Sequence, residues 1–393
     1  MRVLMVSDVY FPRVNGVSTS IQTFRREMPA QGVQIDLIAP AYPDTSAEEG
    51  IHRIPSRYLA FDPEDRLMQR HAIRLQLPEL TSRGYDLVHI QTPFIAHYAG
   101  LELASKMQLP VVTTYHTFFE EYLHHYAKLL PASLTRLVAR RFSRGQCNAT
   151  DGVIAPSLAM RDALHSYGVT APIEIIPTGI PLAQFSVGDG ADFRARHGIA
   201  ADREVALFVG RVAHEKNIDM LLEVTARLAR QRPRFLLVIA GEGPALGHLK
   251  AKVAKLGITG HVLFLGYMDR ARELPNCYRA ADVFAFASTT ETQGLVLLEA
   301  MAMGLPVVAI PAMGARDILQ PGLGCLCAEN TVEDFAAKLA QLLDQPTLRA
   351  ELAEQAAVYA TSWSAPATAE RLAAFYRRIL AREPGLATAP LAA

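Results

Sequence analysis

Two glutamates eight residues apart, Glu291 and Glu299, are well suited to bind a ligand that carries hydroxyl groups. They follow the apolar run 282–287, whose composition is typical of a buried parallel strand. Gly294 then allows the chain to turn into a predicted helix, Leu295 to Met303. Backbone N–H groups at the start of that helix can bind a diphosphate, while the two carboxylates accept hydroxyl groups. A nucleotide sugar offers both kinds of group.

Two basic residues follow the first strand of the second half of the chain. Arg211 and Lys216 come after the apolar run 205–209 and Gly210, at a predicted strand-to-helix junction. Such side chains can clamp a diphosphate and stabilise charge on a leaving group. A solvated basic pair is the alternative interpretation. The diphosphate role is favoured because this junction and Glu291 are expected at the same edge of one sheet.

The first half offers two further candidates at predicted strand ends. A loop after Asp8 contains Asn15 and Gly16 and enters a helix, so the backbone N–H of Gly16 can face a phosphate. An ordinary turn glycine is the alternative. His116 follows the predicted strand 111–115, where an imidazole can hydrogen-bond a sugar hydroxyl or a developing oxyanion. A structural histidine is the alternative there.

The segment 118–144 has an unusual composition, aromatic and acidic at first and then basic without any acidic residue from 127 to 147. Its candidate membrane or acceptor residues are Tyr122, Lys128, Arg136, Arg140, Arg141 and Arg144. Three of the arginines repeat every four residues and share a helical face, with apolar neighbours at Leu130, Leu134, Leu137, Val138 and Phe142. Such a helix can lie on an anionic bilayer. The alternative is a surface helix whose apolar stripe packs on its own sheet.

Composition narrows the class of protein. The chain has 393 residues, which favours two domains, and its 39 Lys and Arg balance 39 Asp and Glu, so no global charge indicates nucleic acid as a partner. The four cysteines show no zinc-site spacing, and Cys325 and Cys327 are predicted to form a partly buried strand end. This use of cysteine fits a reducing cytoplasm. A strand begins at Arg2 without a leader-like apolar region, and no apolar run is long enough to span a bilayer.

Short apolar strands alternate with helical stretches, which predicts an α/β protein with parallel, doubly wound sheets. Predicted strands in the first half are 3–7, 33–39, 87–91, 111–115, 152–155 and 173–176; those in the second half are 205–209, 235–240, 262–265, 283–287 and 307–310. The turn-rich stretch 177–190 is the predicted linker. We therefore expect two doubly wound domains, 1–182 and 183–362, facing a central cleft. A helix from 363 is expected to return to the first domain, with a frayed end after Glu383.

Taken together, these segments resemble the retaining nucleotide-sugar glycosyltransferases of family four, which have the GT-B fold. The resemblance covers nearly the whole chain, and its motifs are Asn15 to Val17, Gly210 and Arg211 with Glu215 to Asn217, Gly241 to Pro244, and the pair Glu291 and Glu299. Within the family, Tyr115 to His124 resembles the bacterial diacylglycerol α-glucosyltransferases.

The resemblance implies that the N-terminal domain, 1–182, binds the acceptor and that the C-terminal domain, 183–362, binds the nucleotide sugar. It also implies a role for each matching residue. Gly16, Gly243, Gly294 and Leu295 would contact the donor nucleotide sugar, with the amides of Gly16, Gly294 and Leu295 at its diphosphate. Arg211 and Lys216 would bind the diphosphate and stabilise the leaving group. Glu291 would hold hydroxyls of the sugar and Glu299 those of the ribose, and His116 would contact the sugar near the reacting carbon. The family works without a metal, and neither a metal nor a cofactor is expected here beyond a UDP-sugar, or a GDP-sugar, as donor.

The implied reaction is transfer of a hexose with retention, by front-face attack of an acceptor hydroxyl; Glu291 is the rival as a covalent nucleophile. The favoured hypothesis is transfer of glucose from UDP-glucose to 1,2-diacylglycerol, by a cytoplasmic protein bound to the inner face of the plasma membrane. A GDP-mannose-dependent mannosyltransferase acting on phosphatidylinositol, or a transferase building another glycan, is the alternative. A nucleotide-sugar epimerase and a non-catalytic nucleotide-sugar binder are more distant ones.

Overall fold

The computed structural model describes residues 1–43, 45, 47–59, 62–116, 132–270 and 272–381. The chain divides into two compact units: unit 1 is Met1–Gly179 together with the chain from Ala365, and unit 2 is Ile180–Ser364. The chain passes from unit 1 to unit 2 after residue 179 and returns after residue 364. The predicted domain boundaries lie after residues 182 and 362. Tyr122, Lys128 and the predicted frayed end lie outside the described residues.

Unit 1 contains a parallel sheet and a small antiparallel hairpin. Its strands are β1 (Arg2–Val6), β2 (Gln34–Pro40), β3 (Ile51–Ile54), β4 (Ser56–Leu59), β5 (Asp62–Met68), β6 (Leu87–Ile90), β7 (Val111–Thr114), β8 (Gly152–Ala155) and β9 (Ile173–Ile175). The large sheet has the order β3-β2-β1-β6-β7-β8-β9, and each neighbouring pair is parallel. The chain reverses its winding direction between β1 and β6, which lie side by side.

Helices cover both faces of this sheet. They are α1 (Gly16–Glu27), α2 (Arg70–Leu75), α3 (Leu77–Ser82), α4 (Ile95–Met107), α5 (Ala132–Cys147), α6 (Leu158–Ser166) and a helix near the end of the chain, Ala365–Ala381. One core layer contains Val3, Phe24 and Tyr376, and the other contains Leu4, Ile90 and Leu103. Because successive strand residues point to opposite faces, Val3 and Leu4 enter different layers.

The predicted strands of unit 1 all form, with ends that differ by at most one residue. The prediction missed β3 and the hairpin of β4 and β5. β5 begins with Asp62, Pro63, Glu64 and Asp65, a run that lacks the apolar alternation on which strand prediction depends. Pairing with a neighbouring strand therefore decides this part of the fold more than local sequence does.

Unit 2 is a second doubly wound sheet. Its strands are β10 (Glu204–Val209), β11 (Phe235–Ala240), β12 (Val262–Gly266), β13 (Val283–Phe286), β14 (Val307–Ala309) and β15 (Cys325–Cys327). Its helices are α7 (Gly190–Arg196), α8 (Ile218–Ala229), α9 (Leu246–Leu256), α10 (Leu274–Arg279), α11 (Leu295–Ala302), α12 (Gly314–Leu319), α13 (Val332–Asp344) and α14 (Pro346–Thr361). The Ala365–Ala381 helix of unit 1 is named α15. The strand order β12-β11-β10-β13-β14-β15 is parallel throughout and reverses direction between β10 and β13.

The predicted class, α/β with two doubly wound parallel sheets, is confirmed. In the described part of unit 2 the sheet has one strand more than the five predicted, namely β15, which begins at Cys325. Strands β10, β11 and β13 are almost wholly apolar and buried, as expected for a parallel sheet covered on both faces. α15 packs against α1 of unit 1, and its Leu372, Phe375 and Tyr376 belong to the unit 1 core.

Candidate active site

The reversal point of the unit 2 sheet brings together the loops that carry the predicted donor-binding residues. In an open parallel sheet, ligands bind beyond the carboxyl ends of the strands where the winding direction reverses. β10 and β13 are the adjacent strands at that point. Arg211 and Lys216 follow β10, and Glu291 follows β13, so topology places these three residues at one edge of the sheet.

Lys216 and Glu291 form a close ion pair there. The Nζ atom of Lys216 donates to Oε1 of Glu291 at 2.5 Å, and the two side chains are 21% and 14% exposed. An ammonium group has three N–H donors and a carboxylate has about four acceptor positions, so each partner keeps capacity for a further hydrogen bond. The pair fixes a positive and a negative group side by side, as a ligand with phosphates next to hydroxyls requires.

The backbone around this pair is held by hydrogen bonds between loops. Asn217 adopts a left-handed conformation, with φ of 55°, and its Nδ2 atom donates to the carbonyl of Ala287, which directly follows β13. The Thr290 hydroxyl donates to the carbonyl of Glu215, and the amide of Gly314 donates to the carbonyl of Glu291. Both loops are therefore positioned by contacts other than the ion pair itself.

Arg211 is more accessible than Lys216. Its side chain is 41% exposed, and its guanidinium lies 4.0 Å from the carboxylate of Glu215, which is itself 31% exposed. An exposed pair at this separation contributes little to stability. The guanidinium is thus able to turn toward an anion at the sheet edge.

Glycines let the neighbouring backbones come close. A Cβ atom at Gly241 would lie 1.9 Å from the carbonyl oxygen of Gly210, and one at Gly243 would lie 2.4 Å from that of Val212. Gly243 also has a φ of 156°, which side chains rarely adopt. These glycines hold the β10 and β11 loops against each other. Contact of Gly243 with a donor remains a prediction.

α11 begins at the same edge and contains the second glutamate. Gly294 precedes it with a φ of 93°, and Leu295 is its first residue. Glu299 is 2% exposed; it accepts a hydrogen bond from the Tyr278 hydroxyl at 3.0 Å and is ion-paired with Arg270. Burial raises the pKa of Glu299 above its ordinary value, and Arg270 and Tyr278 oppose that shift.

Arg270 and Tyr278 were not predicted to belong to the site. Arg270 lies in the loop after β12, where no motif distinguishes it, and Tyr278 occupies a buried helical position that reads as core. The available signal was the buried glutamate itself. A carboxylate inside a helix that packs on a sheet needs a positive or hydrogen-bonding partner.

In unit 1, His116 lies after β7 as predicted and is held by a neighbouring strand end. Its Nε2 atom is 2.9 Å from Oε1 of Gln91, which follows β6. Burial lowers the pKa of His116 to about 4, so the imidazole is neutral at pH 7. A neutral imidazole hydrogen-bonds a hydroxyl without adding a charge to the site.

A second histidine, His89, was not predicted as a site residue and lies behind His116 within β6. Its Nδ1 atom is 2.6 Å from the Tyr376 hydroxyl of α15, and its Nε2 atom is 2.7 Å from the Thr114 hydroxyl of β7. Burial, with a smaller contribution from His116, lowers its pKa to about 3. His89 thus links α15 to the strand that precedes His116.

Gly16 lies at the start of α1, behind a capping side chain. The Oδ1 atom of Asn15 accepts from the amide of Ser18 at 2.8 Å, which is a standard N-cap contact. No atom lies within 4 Å of a Cβ built on Gly16. Its amide is therefore at an uncrowded helix start, and its predicted contact with a diphosphate remains a prediction.

Asp8 is a buried carboxylate at the reversal point of the unit 1 sheet. It follows β1, accepts from the Thr92 hydroxyl at 2.8 Å, and accepts from the amide of Ala96 at the start of α4. Burial raises its pKa to about 6, and those hydrogen bonds partly offset the shift. Asp8 joins the loop that leads to Gly16 to the loop after β6.

α5 carries the described part of the predicted basic surface. Arg136, Arg140, Arg141 and Arg144 are all exposed. Leu137 and Val138 are also exposed, at 55% and 53%, so these two apolar side chains do not pack on the sheet. The buried face is formed instead by Thr135, Ala139, Ser143, Gln146 and Cys147.

Hydrogen bonds fix this orientation of α5. The Ser143 hydroxyl is 2.7 Å from that of Tyr115, and Gln146 donates to the carbonyl of Pro93 just before α4. Because small and polar residues face inward, arginine and aliphatic side chains share the outer face. In the described part of the chain, no helix is both long and apolar enough to cross a bilayer.

Comparison with known proteins addresses the family and the fold of the chain. Residues 14–184 match the family described as Glycosyltransferase Family 4, and residues 189–359 match the family described as Glycosyl transferases group 1. The chain is 36% identical to the alpha-monoglucosyldiacylglycerol synthase of Streptococcus pneumoniae over 319 residues. The aligned region covers 79% of this chain and 71% of that protein. It is 28% identical to the GDP-mannose-dependent alpha-mannosyltransferase of Mycobacterium tuberculosis over 390 residues. That aligned region covers 97% of this chain and 98% of the relative.

Solved structures share the fold. The crystal structure of Anabaena HepE in complex with UDP and glucose matches with a TM-score of 0.78 at 19% identity, over 96% of this chain and 99% of that one. At this level of identity the likeness extends to the fold alone. The predicted GT-B architecture is confirmed.

Proposed function

The chain belongs to glycosyltransferase family 4 and is a glycosyltransferase, and from this premise we propose that it transfers glucose from UDP-glucose to the free hydroxyl of 1,2-diacylglycerol at an anionic membrane surface. The observation that carries the lipid acceptor is the outer face of α5. Four exposed arginines and two half-exposed aliphatic residues share it. A relative named as a monoglucosyldiacylglycerol synthase, 36% identical to this chain, supports the same acceptor.

α5 has the composition of a helix that lies in a lipid interface. Its residues 132–147 include four arginines and no acidic residue. Each basic side chain near an anionic leaflet contributes about 1 kcal/mol, and apolar side chains beside them enter the headgroup region. At the start of α4, which Gln146 contacts through Pro93, Phe94 and Tyr98 are 47% and 46% exposed and extend the apolar surface of unit 1.

The donor role rests on the charged pairs of unit 2. Lys216 and Arg211 would bind the diphosphate, and the ammonium of Lys216 would keep its contact with Glu291 while donating to a phosphate oxygen. Glu291 would accept hydroxyls of the sugar. Gly294 and Leu295 would add backbone N–H groups at the start of α11.

Glu299 would accept the ribose hydroxyls. Its two oxygens are oriented by Arg270 and Tyr278, and a carboxylate has acceptor positions beyond those two contacts. A carboxylate held in this way is pre-oriented for a diol and loses little side-chain entropy when the nucleotide binds.

In the proposed reaction, the acceptor oxygen forms a bond to the anomeric carbon on the face from which the diphosphate departs. The bond between the anomeric carbon and the diphosphate oxygen breaks, and that phosphate oxygen takes the acceptor proton. Arg211 and Lys216 stabilise the negative charge that develops on the diphosphate. Neutral His116 hydrogen-bonds a hydroxyl of the sugar near the reacting carbon.

The decisive experiment is to measure nucleoside-diphosphate release from UDP-glucose with and without diacylglycerol, in mixed micelles that contain anionic lipid. Release that requires diacylglycerol and yields a glucolipid supports the proposal. Release without acceptor indicates hydrolysis, and conversion of UDP-N-acetylglucosamine without acceptor indicates an epimerase. Failure of UDP-glucose with every lipid acceptor contradicts the proposed donor.

The membrane surface is tested by reversing two charges on α5. We expect Arg140→Glu with Arg141→Glu to lose binding to vesicles of anionic lipid and to lose activity on diacylglycerol. The matched control is Arg227→Glu with Arg230→Glu, which makes the same charge change at two exposed positions, one in α8 and one directly after it. Unchanged vesicle binding in the α5 variant, or equal loss in both variants, contradicts docking through α5.

Transfer of mannose from GDP-mannose to phosphatidylinositol is the second candidate. It is favoured by the 28% identity, over nearly the whole of both chains, to a GDP-mannose-dependent alpha-mannosyltransferase. GDP release from GDP-mannose that depends on phosphatidylinositol, with no turnover of UDP-glucose, would establish it in place of the first proposal.

A further inference from the structure

Three potential metal ligands converge on unit 2 outside the residues assigned to the donor. They are His214, Asp219 and His248, and their ligand atoms all lie within 4.8 Å of one another. The three residues come from three elements: the 3-10 turn His214–Lys216 after β10, the first turn of α8 and the first turn of α9. Their sequence spacing of five and then 29 residues matches no common zinc pattern, so only the fold reveals the cluster.

The cluster is partly assembled already. The Nε2 atom of His248 is 2.8 Å from Oδ1 of Asp219, and the rings of His214 and His248 have centroids 5.4 Å apart at an angle of 58°. Ligand atoms around a tetrahedral zinc ion are roughly 3.3 Å apart, given bonds of about 2.0–2.1 Å. The exposed histidines can close the remaining gap by side-chain rotation, since the His248 side chain is 52% exposed.

We propose that His214, Asp219 and His248 form a binding site for one divalent transition-metal ion of the zinc, nickel and copper class. Two imidazoles and one carboxylate favour these ions, whereas Mg²⁺ and Ca²⁺ prefer oxygen ligands. Water would complete the coordination on the exposed side. The ion would tie the turn that contains Lys216 to the starts of α8 and α9.

The positive charge of Lys252 lies beside the proposed site and lowers its expected affinity for a metal ion. Its Nζ atom lies 3.0 Å from Oδ1 of Asp219 but also 2.7 Å from Oε1 of Glu223. Glu223 can therefore retain the ammonium group when Asp219 turns to a metal. The nearby positive charge weakens metal binding, so its removal strengthens it.

The test is a titration of the metal-free, tag-free chain with Zn²⁺ against a chromophoric chelator. We expect one Zn²⁺ per chain, at least about tenfold weaker binding for His214→Ala and for His248→Ala, and unchanged binding for His165→Ala, an exposed histidine of α6. Lys252→Gln should bind Zn²⁺ at least about fivefold more tightly. Mg²⁺ should not compete. Zn²⁺ should also raise the melting temperature of the unaltered chain and leave that of His248→Ala unchanged.

Two results would overturn the site. One is the absence of Zn²⁺ binding at micromolar metal. The other is binding that survives both His214→Ala and His248→Ala, particularly if Cys327→Ser removes it, because Cys325 and the exposed Cys327 are the rival soft ligands. A thiolate-to-metal charge-transfer band in the Co²⁺-loaded chain would likewise assign the metal to cysteine. If an alanine variant does not fold, Asp219→Asn and the Co²⁺ spectrum decide the matter.

Discussion

The two units hold their candidate residues in different electrostatic states. In unit 2 they are charged and paired: Lys216 with Glu291 at the sheet edge, and Arg270 with buried Glu299. In unit 1, His116 after β7 and His89 within β6 are neutral, since burial lowers the pKa of His116 to about 4 and that of His89 to about 3. The buried carboxylate of Asp8 accepts hydrogen bonds from the Thr92 hydroxyl and the Ala96 amide. The difference matches the proposed ligands. The charged pairs of unit 2 would meet the diphosphate and hydroxyls of a nucleotide sugar, whereas His116 would meet only an uncharged hydroxyl of the sugar.

A consequence is that the two units should respond differently to mutation and to pH. Unit 2 depends on keeping each charge beside its partner, because an unpaired buried charge is costly. Unit 1 depends on keeping its histidines unprotonated. The single tryptophan of the chain, Trp363, is buried in unit 2, so its fluorescence reports unfolding of that unit.

The largest expected effect is that of Arg270→Ala. It leaves Glu299 buried with only the Tyr278 hydroxyl, and we expect a loss of about 3–5 kcal/mol in the free energy of unfolding of unit 2. Urea unfolding followed by Trp363 fluorescence measures it. The double variant Arg270→Met with Glu299→Leu should recover much of the loss, since it removes both charges. Equal losses in the single and double variants would show that the pair is not what stabilises α11.

Next in size are Lys216→Ala and Glu291→Ala. Each should reduce turnover by at least about 10²-fold, the scale of one lost transition-state contact. Because both side chains are partly exposed, unfolding monitored by Trp363 should change far less than in Arg270→Ala. The double variant should lose less than the product of the single losses, since the residues form one pair. Rates near those of the unaltered enzyme would remove both residues from the site.

An intermediate effect is expected for acidification of unit 1. Burial lowers the pKa of His97 from 6.5 to about 4, so the unfolded chain binds its proton first and stability falls as pH decreases from 6.5 toward 4. His97 alone accounts for about 2 kcal/mol of loss at pH 5. His97→Gln should therefore show a flatter decline between pH 7 and pH 5. Circular dichroism reports unfolding of both units and Trp363 fluorescence that of unit 2, so comparing the two signals separates them. Equal declines in stability with pH for His97→Gln and the unaltered chain would contradict the role assigned to His97.

The smallest effect is expected for Gly16→Ala. An added Cβ meets no atom within 4 Å, and alanine favours a helix, so stability should stay the same or rise by up to about 1 kcal/mol. If the Gly16 amide lies close to the donor diphosphate, the methyl group should raise KM for the donor severalfold with kcat less affected. An unchanged KM would leave Gly16 as a simple helix start.

Sequence alone predicted the parallel strands of both sheets other than β3 and β15, because the apolar runs of the predicted strands are continuous and buried. It also placed Lys216 and Glu291 together, since both follow strands that meet at one sheet edge. It did not find Arg270, because the partner of that residue, Glu299, lies 29 residues later in the chain and only the fold brings the two together. For α5 the repeat of arginines predicted an amphipathic helix but not its orientation. Inward hydrogen bonds from Ser143 and Gln146, rather than apolar packing, decide which face is exposed.

The chain crosses between the units twice, and α15 is made after all of unit 2. During synthesis, the strands of unit 1 therefore emerge long before the helix that supplies Leu372, Phe375 and Tyr376 to their core. Tyr376 is also the hydroxyl partner of His89, behind His116. All residues of unit 2 are made before α15, whereas the core of unit 1 stays incomplete until that helix is added. Shortening the chain before 365 should consequently damage unit 1 and spare unit 2.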